Sequence, residues 1–176
     1  QYARRIQEAL LPGQDFLSDR FKEHFVLYLP KDIVSGDFYW NFKLPEENPV
    51  VSGAEPKTLI FLGDCTGHGV PGALMSMLGI SYLNEILVER KIYGPDKILT
   101  ELTNQIIKTL NPGQSKEIKD GMDCALISIS YKNESVELEF SGANNPIWVV
   151  RKNMKEFMGI FTFQIHTDNY SSFGGF

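Results

Sequence analysis

The spacing of apolar residues along the chain predicts a few strands, then two long helices, then more strands. Apolar positions three or four residues apart predict helices over 73–90 and 95–110, because such positions share one helical face. In the first helix we expect the core face to consist of Leu74, Met77, Leu78, Ser81, Tyr82 and Ile86. In the second helix we expect it to consist of Ile98, Leu102, Ile106 and Leu110.

Shorter runs of alternating or strand-favouring residues predict strands. One such run covers 21–30, and two others, 124–131 and 136–140, predict a hairpin. A further strand is expected over 147–151, and the Pro- and Glu-containing stretch 43–57 should connect two strands. The order of these elements indicates an α+β fold in which helices pack on antiparallel sheets.

Two glycine-rich acidic turns have the clearest chemistry. The segment 61–72, FLGDCTGHGVPG, passes from a predicted strand through a loop led by Asp64 into a helix, and the segment 33–40, IVSGDFYW, places Asp37 before another predicted strand. A phosphate-binding Walker loop would continue with Lys and Ser or Thr, whereas a Val-Pro pair stands here. Carboxylates in such a loop suit Mg²⁺ or Mn²⁺, and two that converge can hold a pair of ions. The other interpretation is a plain glycine-rich turn with a solvated Asp.

Composition and charge narrow the possible functions. The 176 residues are 43% hydrophobic, which suffices for one globular domain with a sizeable core. The formal net charge of −5, with scattered Lys and Arg, argues against a nucleic-acid surface. Cys65 and Cys124 lack the number and spacing of a disulfide framework or zinc site, so we expect free thiols in a reducing compartment.

The sequence also bears on the membrane. No uninterrupted apolar run approaches the about 20 residues that cross a bilayer, and no signal peptide is recognised. We therefore expect a cytoplasmic domain without membrane contact of its own. Its parent protein could still be anchored through another segment.

Several blocks of sequence, taken in order, resemble the SpoIIE-like serine/threonine phosphatases of the metal-dependent type 2C protein phosphatase superfamily. Besides the two acidic turns, they are 3–12 (ARRIQEALLP), 120–126 (DGMDCAL) and 141–146 (SGANNP). A set of blocks in the family's order is far more specific than one glycine motif. The resemblance implies an α–β–β–α sandwich, two antiparallel sheets flanked by helices, with a metal centre at one end between the sheets.

The resemblance further implies a mechanism and roles for individual residues. Two Mn²⁺ or Mg²⁺ ions would activate a water that attacks a phosphoserine or phosphothreonine. Asp64 would bridge both ions, the backbone carbonyl of Cys65 would bind one, and Asp37 would bind a metal directly or through water. Asp168, in the sequence TDNY, resembles a late Thr–Asp–Gly turn that supplies another metal aspartate, with Asn169 in the glycine position.

The chain opens inside a helical pattern with no start signal, so we expect it to be cut from a longer protein. Region 1–13 is predicted to be a linker or regulatory helix that follows an upstream sensor domain, and its apolar face is Tyr2, Ile6, Ala9 and Leu10. That face makes a homodimer possible. Region 14–176 is predicted to be the phosphatase domain. Its C-terminal part should be incomplete or interrupted, because the family has more strands before the late turn.

Other residues are weaker candidates. His68 could donate a proton or could be an ordinary hydrogen-bonded loop histidine. Asp120 and Asp123 are further acidic candidates for a metal, although Asp123 opens a predicted strand and could simply satisfy turn backbone. His24 and His166 are expected to be structural.

Three function classes remain after these arguments. The first is the phosphatase, for which the resemblance implies a phosphoprotein substrate such as a STAS-type anti-sigma-factor antagonist in a bacterial signalling pathway. The second is an inactive or weak pseudophosphatase that serves as a binding module. The third, a nucleotide-binding switch, lacks the Lys or Ser/Thr partner that a phosphate loop needs.

Overall fold

The computed structural model of the chain describes residues 2–13, 15–18, 21, 23–30, 32–44, 57–111, 120–132, 135–149 and 161–162. In chain order its helices are α1 (Tyr2–Leu10), α2 (Gly69–Asn84) and α3 (Pro95–Leu110). A π-helical turn, Glu85–Glu89, continues α2. The strands are β1 (Phe38–Lys43), β2 (Lys57–Cys65), β3 (Met122–Lys132), β4 (Ser135–Ala143), β5 (Trp148–Val149) and β6 (Phe161–Thr162).

Two antiparallel sheets are present among the described residues. The larger one has the order β1-β2-β3-β4, and β5 pairs with β6 in the smaller one. The predicted hairpin is confirmed as β3–β4. The strand expected over 147–151 is found as Trp148–Val149, and residues 150–151 lie outside the described part. The α+β fold with helices on an antiparallel sheet is as predicted.

The core lies between one face of the larger sheet and helices α2 and α3. Apolar strand residues such as Phe61, Leu59 and Leu126 are fully buried there, and removal of their surface from water stabilises the layered arrangement. The predicted core face of α3 is confirmed at Ile98, Leu102 and Ile106, while Leu110 is partly buried.

Helix α2 differs from its prediction in extent and orientation. It begins at Gly69, four residues early, and Leu74 and Ser81, assigned to the core face, are exposed. The residues that are buried are Gly72, Ala73, Met75, Ser76, Gly79, Ile80 and Leu83. Apolar residues occur all around this helix, so their spacing alone does not select a face. The side with small residues faces the sheet at Gly79 and the turn before β1 at Gly72 and Ser76, where the segments approach closely.

The strand predicted over 21–30 is wrong for the described residues in that range, which form no strand. Their apolar side chains do alternate: Phe25, Leu27 and Leu29 are largely exposed. An extended segment becomes a strand only when another strand pairs with it. None of the six described strands pairs with this segment, so the alternating apolar side chains are not buried against a sheet.

The helical stretch Gly69–Glu89, α2 with its π-helical turn, is 21 residues long, and its most apolar window of 18 residues has a mean hydropathy of 1.2. By length and composition alone it could cross a membrane, although the sequence contains no uninterrupted apolar run of that size. Half of its most apolar window is buried inside the fold. Such burial is what a core helix of a globular domain shows.

Candidate metal centre

Strand pairing places three aspartates in a row across the larger sheet. Phe38 of β1 lies opposite Gly63 of β2, so Asp37, which precedes Phe38, comes beside Asp64. On the other side, Asp64 lies directly opposite Asp123 of β3. Partners in such a register share a face of the sheet. The structure therefore brings together Asp37 and Asp64, as the two acidic turns predicted, and adds Asp123.

The electrostatics of this row centre on Asp64. Partial desolvation raises the pKa of the Asp64 carboxyl, and contact with the Asp37 carboxyl and repulsion by Asp37 and Asp123 raise it further. Carboxylates packed against one another repel, and a divalent cation between them would remove that repulsion. The donor set fits Mg²⁺ or Mn²⁺, which take oxygen ligands.

The loop after β2 brings backbone oxygens close to the aspartates. A Cβ atom added to Gly36 would meet the carbonyl oxygens of Cys65 at 2.8 Å and Gly67 at 2.9 Å. Gly67 and Gly69 have positive φ values of 91° and 65°, a conformation that glycine adopts without a steric penalty. The carbonyl of Cys65 thus lies against the turn that carries Asp37. It is the backbone oxygen that the family resemblance implies as an ion ligand.

The turn that carries Asp37 is fixed by hydrogen bonds from two helices. Ser35 Oγ accepts a hydrogen bond from the backbone N–H of Asp37 at 3.0 Å. Gln7 of α1, only 3% exposed, accepts one from the Ser35 N–H at 2.9 Å and donates to the Ser35 carbonyl oxygen at 2.6 Å. Its amide also donates to Ser76 Oγ of α2 at 2.9 Å. Sequence reasoning missed Gln7, because a lone glutamine in a polar helix gives no signal of burial.

Helix α1 buries the polar Gln7 against the domain and leaves its apolar stripe partly exposed. Tyr2, Ile6 and Leu10 remain exposed on the described surface. The helix itself and its end before Pro12 are as predicted. Its division from the rest as a separate linker stays a prediction.

Both cysteine side chains are buried in the core and point away from solvent. Burial raises the pKa of the Cys65 thiol to about 12 and does the same for Cys124. Neither thiol ionises at neutral pH, so neither is suited to act as a nucleophile. The position of Cys65 is consistent with the expectation that only its backbone takes part.

His68 stands at the start of α2 with its Nδ1 atom 3.0 Å from Asp32 Oδ2, and both side chains are exposed. Asp120 is exposed just before β3. Asp168 and His166 lie outside the described residues. Within the described part of the chain, no three His, Cys, Asp or Glu side chains converge as a complete set of metal ligands. The aspartates thus lie side by side along the sheet, and their carboxylates do not surround one common ion position.

Comparison with known proteins decides the family. The family model of stage II sporulation protein E (SpoIIE) matches residues 54–160, more than half of the chain. The chain belongs to the SpoIIE family. Among solved structures, it is similar to the SiaA-PP2C domain of Pseudomonas aeruginosa, with a TM-score of 0.61 and 27% sequence identity. That match covers 81% of this chain and 58% of the solved one, so the chain spans less than two thirds of that domain. A search among curated proteins finds no match.

The SpoIIE match covers only part of the candidate site. Asp64, Cys65 and Asp123 fall inside 54–160, whereas Asp37 and the helix with Gln7 precede the matched range. Asp37 is joined to the SpoIIE-matched part by the pairing of β1 with β2.

Proposed function

We propose that this SpoIIE-family domain is a metal-dependent protein serine/threonine phosphatase. The observation that carries the proposal is the contact of the Asp37 and Asp64 carboxyls at adjoining strand ends, with the pKa of Asp64 raised. Membership of the SpoIIE family and the likeness to a PP2C domain support the same reaction class. Two Mn²⁺ or Mg²⁺ ions are the proposed cofactors.

Each residue of the centre has a proposed task. Asp64, between two neighbours, would give an oxygen to each of two ions, and Asp37 would hold one of them directly or through water. The Cys65 carbonyl would complete one coordination sphere, and Asp168 is proposed as a further ligand. When bound, the ions would neutralise the phosphoryl oxygens and lower the pKa of a water toward neutrality.

A side chain of the protein would also donate a proton to the leaving group. The departing seryl or threonyl oxygen needs one, and His68 lies within the glycine-rich loop that follows Asp64. Its Nδ1 atom contacts the Asp32 carboxylate, and this contact would orient the ring. The protonated Cys65 thiol would take no part in the attack.

The proposed substrate is a phosphoserine or phosphothreonine in a protein, such as a STAS-type anti-sigma-factor antagonist, in the cytoplasm. A flexible phosphopeptide strand can reach ligands that lie at an exposed sheet end. An upstream sensor domain in the same chain would control access through α1, and the domain itself would contact neither nucleic acid nor membrane.

Hydrolysis of p-nitrophenyl phosphate in Mn²⁺, in excess EDTA and with Asp64→Asn tests the proposal. We expect turnover that requires Mn²⁺ and that the substitution removes. Full activity in EDTA would overturn the metal mechanism. Mn²⁺ binding without turnover of either p-nitrophenyl phosphate or a phosphoserine peptide would instead establish the pseudophosphatase. A thermal shift with nucleotide but not with Mn²⁺ would favour the nucleotide switch.

A further inference from the structure

Asp123 occupies a position that strand pairing alone does not favour. It lies directly opposite Asp64 in the antiparallel β2–β3 pair, and both residues are exposed on the same face of the sheet. Like charges directly opposite each other destabilise a sheet. A solvated carboxylate at this position would be expected to rotate away from its neighbour.

A hydrogen bond from the end of β4 holds Asp123 in this position. Asn144 Nδ2 donates to Asp123 Oδ1 at 2.8 Å. Asn144 has a φ of 60°, in the left-handed region that non-glycine residues seldom adopt. Its backbone also forms a bridge with Cys124, next to Asp123. The turn after β4 is therefore folded onto the start of β3, with its amide directed at the carboxylate.

The bond to Asn144 leaves most of the carboxylate available. A carboxylate has about four lone-pair positions, and the amide uses one. The carboxyls of Asp37 and Asp64 are in contact. Asp123 lies on β3, on the other side of Asp64, and neighbouring strands are about 4.8 Å apart. Mg²⁺ and Mn²⁺ lie about 2.1 Å from their oxygen ligands and commonly keep several waters. A water between a bound ion and the carboxylate would span the remaining distance.

We propose that Asp123, oriented by Asn144, is a positioning residue of the metal centre, where its carboxylate accepts hydrogen bonds from water bound to the cation that Asp64 holds. This inference rests on the proposed function. It assigns to the 120–126 and 141–146 segments one shared task. The first supplies the acceptor and the second fixes its direction.

Calorimetric titration of the metal-free 176-residue chain with Mn²⁺ tests the proposal without a measurement of turnover. We expect Asp123→Asn to weaken Mn²⁺ binding by about 10-fold to 100-fold, the usual effect of removing a group behind the direct ligands. Asn144→Gly keeps the left-handed backbone and removes only the amide, so we expect a smaller loss of about 3-fold to 10-fold. Glu137→Gln changes the charge equally at the other end of the hairpin and should bind as the wild type does.

The double variant Asp123→Asn with Asn144→Gly shows whether Asn144 affects Mn²⁺ binding by orienting Asp123 or independently of it. If Asn144 acts through Asp123, the double variant binds Mn²⁺ within about 2-fold of Asp123→Asn alone. Losses that multiply would overturn the assigned role of Asn144. Mn²⁺ binding by Asp123→Asn within about 2-fold of wild type would overturn the role of Asp123.

Melting temperatures in EDTA identify a merely structural role. If Asp123 only secures the turn after β4, both single variants will melt below the wild type in EDTA while their Mn²⁺ affinity stays unchanged. That result contradicts the proposal. A wild-type chain that binds no Mn²⁺ would overturn the proposed function and this inference together, whereas tight wild-type binding that survives Asp123→Asn would overturn this inference alone.

Discussion

Asp64 has carboxylates on both sides, so the loss of its charge should affect activity and stability in opposite directions. We expect Asp64→Asn to lower Mn²⁺-dependent turnover at least about 10-fold, because no neutral amide can bridge two cations. In the metal-free protein the same change should raise the melting temperature at pH 7 by about 2–4 °C, equivalent to about 1 kcal/mol in a domain of this size.

The pH dependence of that gain follows from the raised pKa of Asp64. The folded state holds the proton to a higher pH than the unfolded state does, so the stability contributed by protonation is lost as pH rises through the raised pKa. The advantage of Asp64→Asn should therefore be full at pH 7 and shrink toward pH 4. Thermal melts in EDTA at both pH values measure it. A variant that melts below wild type at pH 7 contradicts this account.

The thiols of Cys65 and Cys124 should resist alkylation in the native state. Both are buried, with pKa values raised to about 12, so the reactive thiolate is scarce at pH 8. We expect iodoacetamide to label the folded protein on less than about a tenth of these sites in an hour and to leave its activity unchanged. Mass spectrometry measures the labelling, and the denatured protein, which should react fully, is the control.

Single residues differ in how well the sequence reveals them. Asp37 and Asp64 could be found because each follows a glycine in a turn beside a strand. Gln7 and Asn144 could not, because their importance lies in contacts with residues far away along the chain. Asp123 was visible as a candidate, but only the register of β2 with β3 places it against Asp64.

At the level of elements, the start of α2 and the Asp37 turn approach each other through two glycines. A Cβ atom on Gly72 would meet the Gly67 carbonyl oxygen at 2.6 Å and the Gly36 Cα atom at 3.0 Å. These are backbone atoms, so Gly72→Ala should push the two segments apart and weaken Mn²⁺ binding about 10-fold or more, by analogy with the loss of a supporting group. Calorimetric titration with Mn²⁺ measures the effect.

Gly79 of the same helix provides a matched control for Gly72. A Cβ atom there would meet only the ends of the Met122 and Phe38 side chains, at 3.0 Å each. Side chains can move by a few tenths of an ångström, and alanine favours a helix over glycine by about 1 kcal/mol. Gly79→Ala should therefore leave Mn²⁺ affinity unchanged. Equal losses in the two variants would show that the close contact at Gly72 has no special importance.

The apolar stripe of α1 is exposed and is therefore available for a contact with another element. Ile6 and Leu10 are each 40% exposed while Gln7 alone is buried, so replacing both with Glu should leave the fold intact. We expect the double variant to change the basal activity or the mass in solution, measured by p-nitrophenol release and light scattering. Arg4→Glu, on the opposite face of α1, is the control. Unchanged turnover and mass would leave the stripe without a role.

The two long helices show when periodicity identifies a buried face. In α3 polar residues fill the outer face, so the apolar stripe could be predicted correctly. In α2 apolar residues surround the axis, and only the neighbouring elements, among them α1 and the Ser35 turn, decide that Ser76 is buried and Leu74 exposed. For the 21–30 segment, alternation was real, but a strand also needs a partner, which no local pattern reports.

For the whole molecule, bound metal should stabilise the fold by linkage. At a Mn²⁺ concentration 100 times the dissociation constant, one site adds about 2.7 kcal/mol, which corresponds to a rise of about 5–10 °C in the melting temperature. Ca²⁺, which prefers longer bonds and more ligands, should raise it less. Scanning fluorimetry with each ion at equal concentration compares them. An identical shift would argue for a nonspecific effect of divalent charge.

The fold class could be predicted from the order of strand and helix patterns, because layered packing permits few alternatives. The order of strands within the larger sheet could not, since it depends on contacts between distant segments. Within the described residues the second sheet consists of β5 and β6 alone, so the α–β–β–α arrangement is seen mainly through its larger sheet and the helices on it.

The hydrogen bonds of Gln7 couple the docking of α1 on the domain to the conformation of the turn that carries Asp37. If docking of the helix strengthens cation binding, then a bound cation strengthens helix docking by the same free energy, because coupling between two sites is reciprocal. Docking of α1 would then depend on whether the metal centre is occupied. A protease that cleaves an undocked α1 should cut more slowly in Mn²⁺, by the same factor by which deleting the helix weakens Mn²⁺ binding.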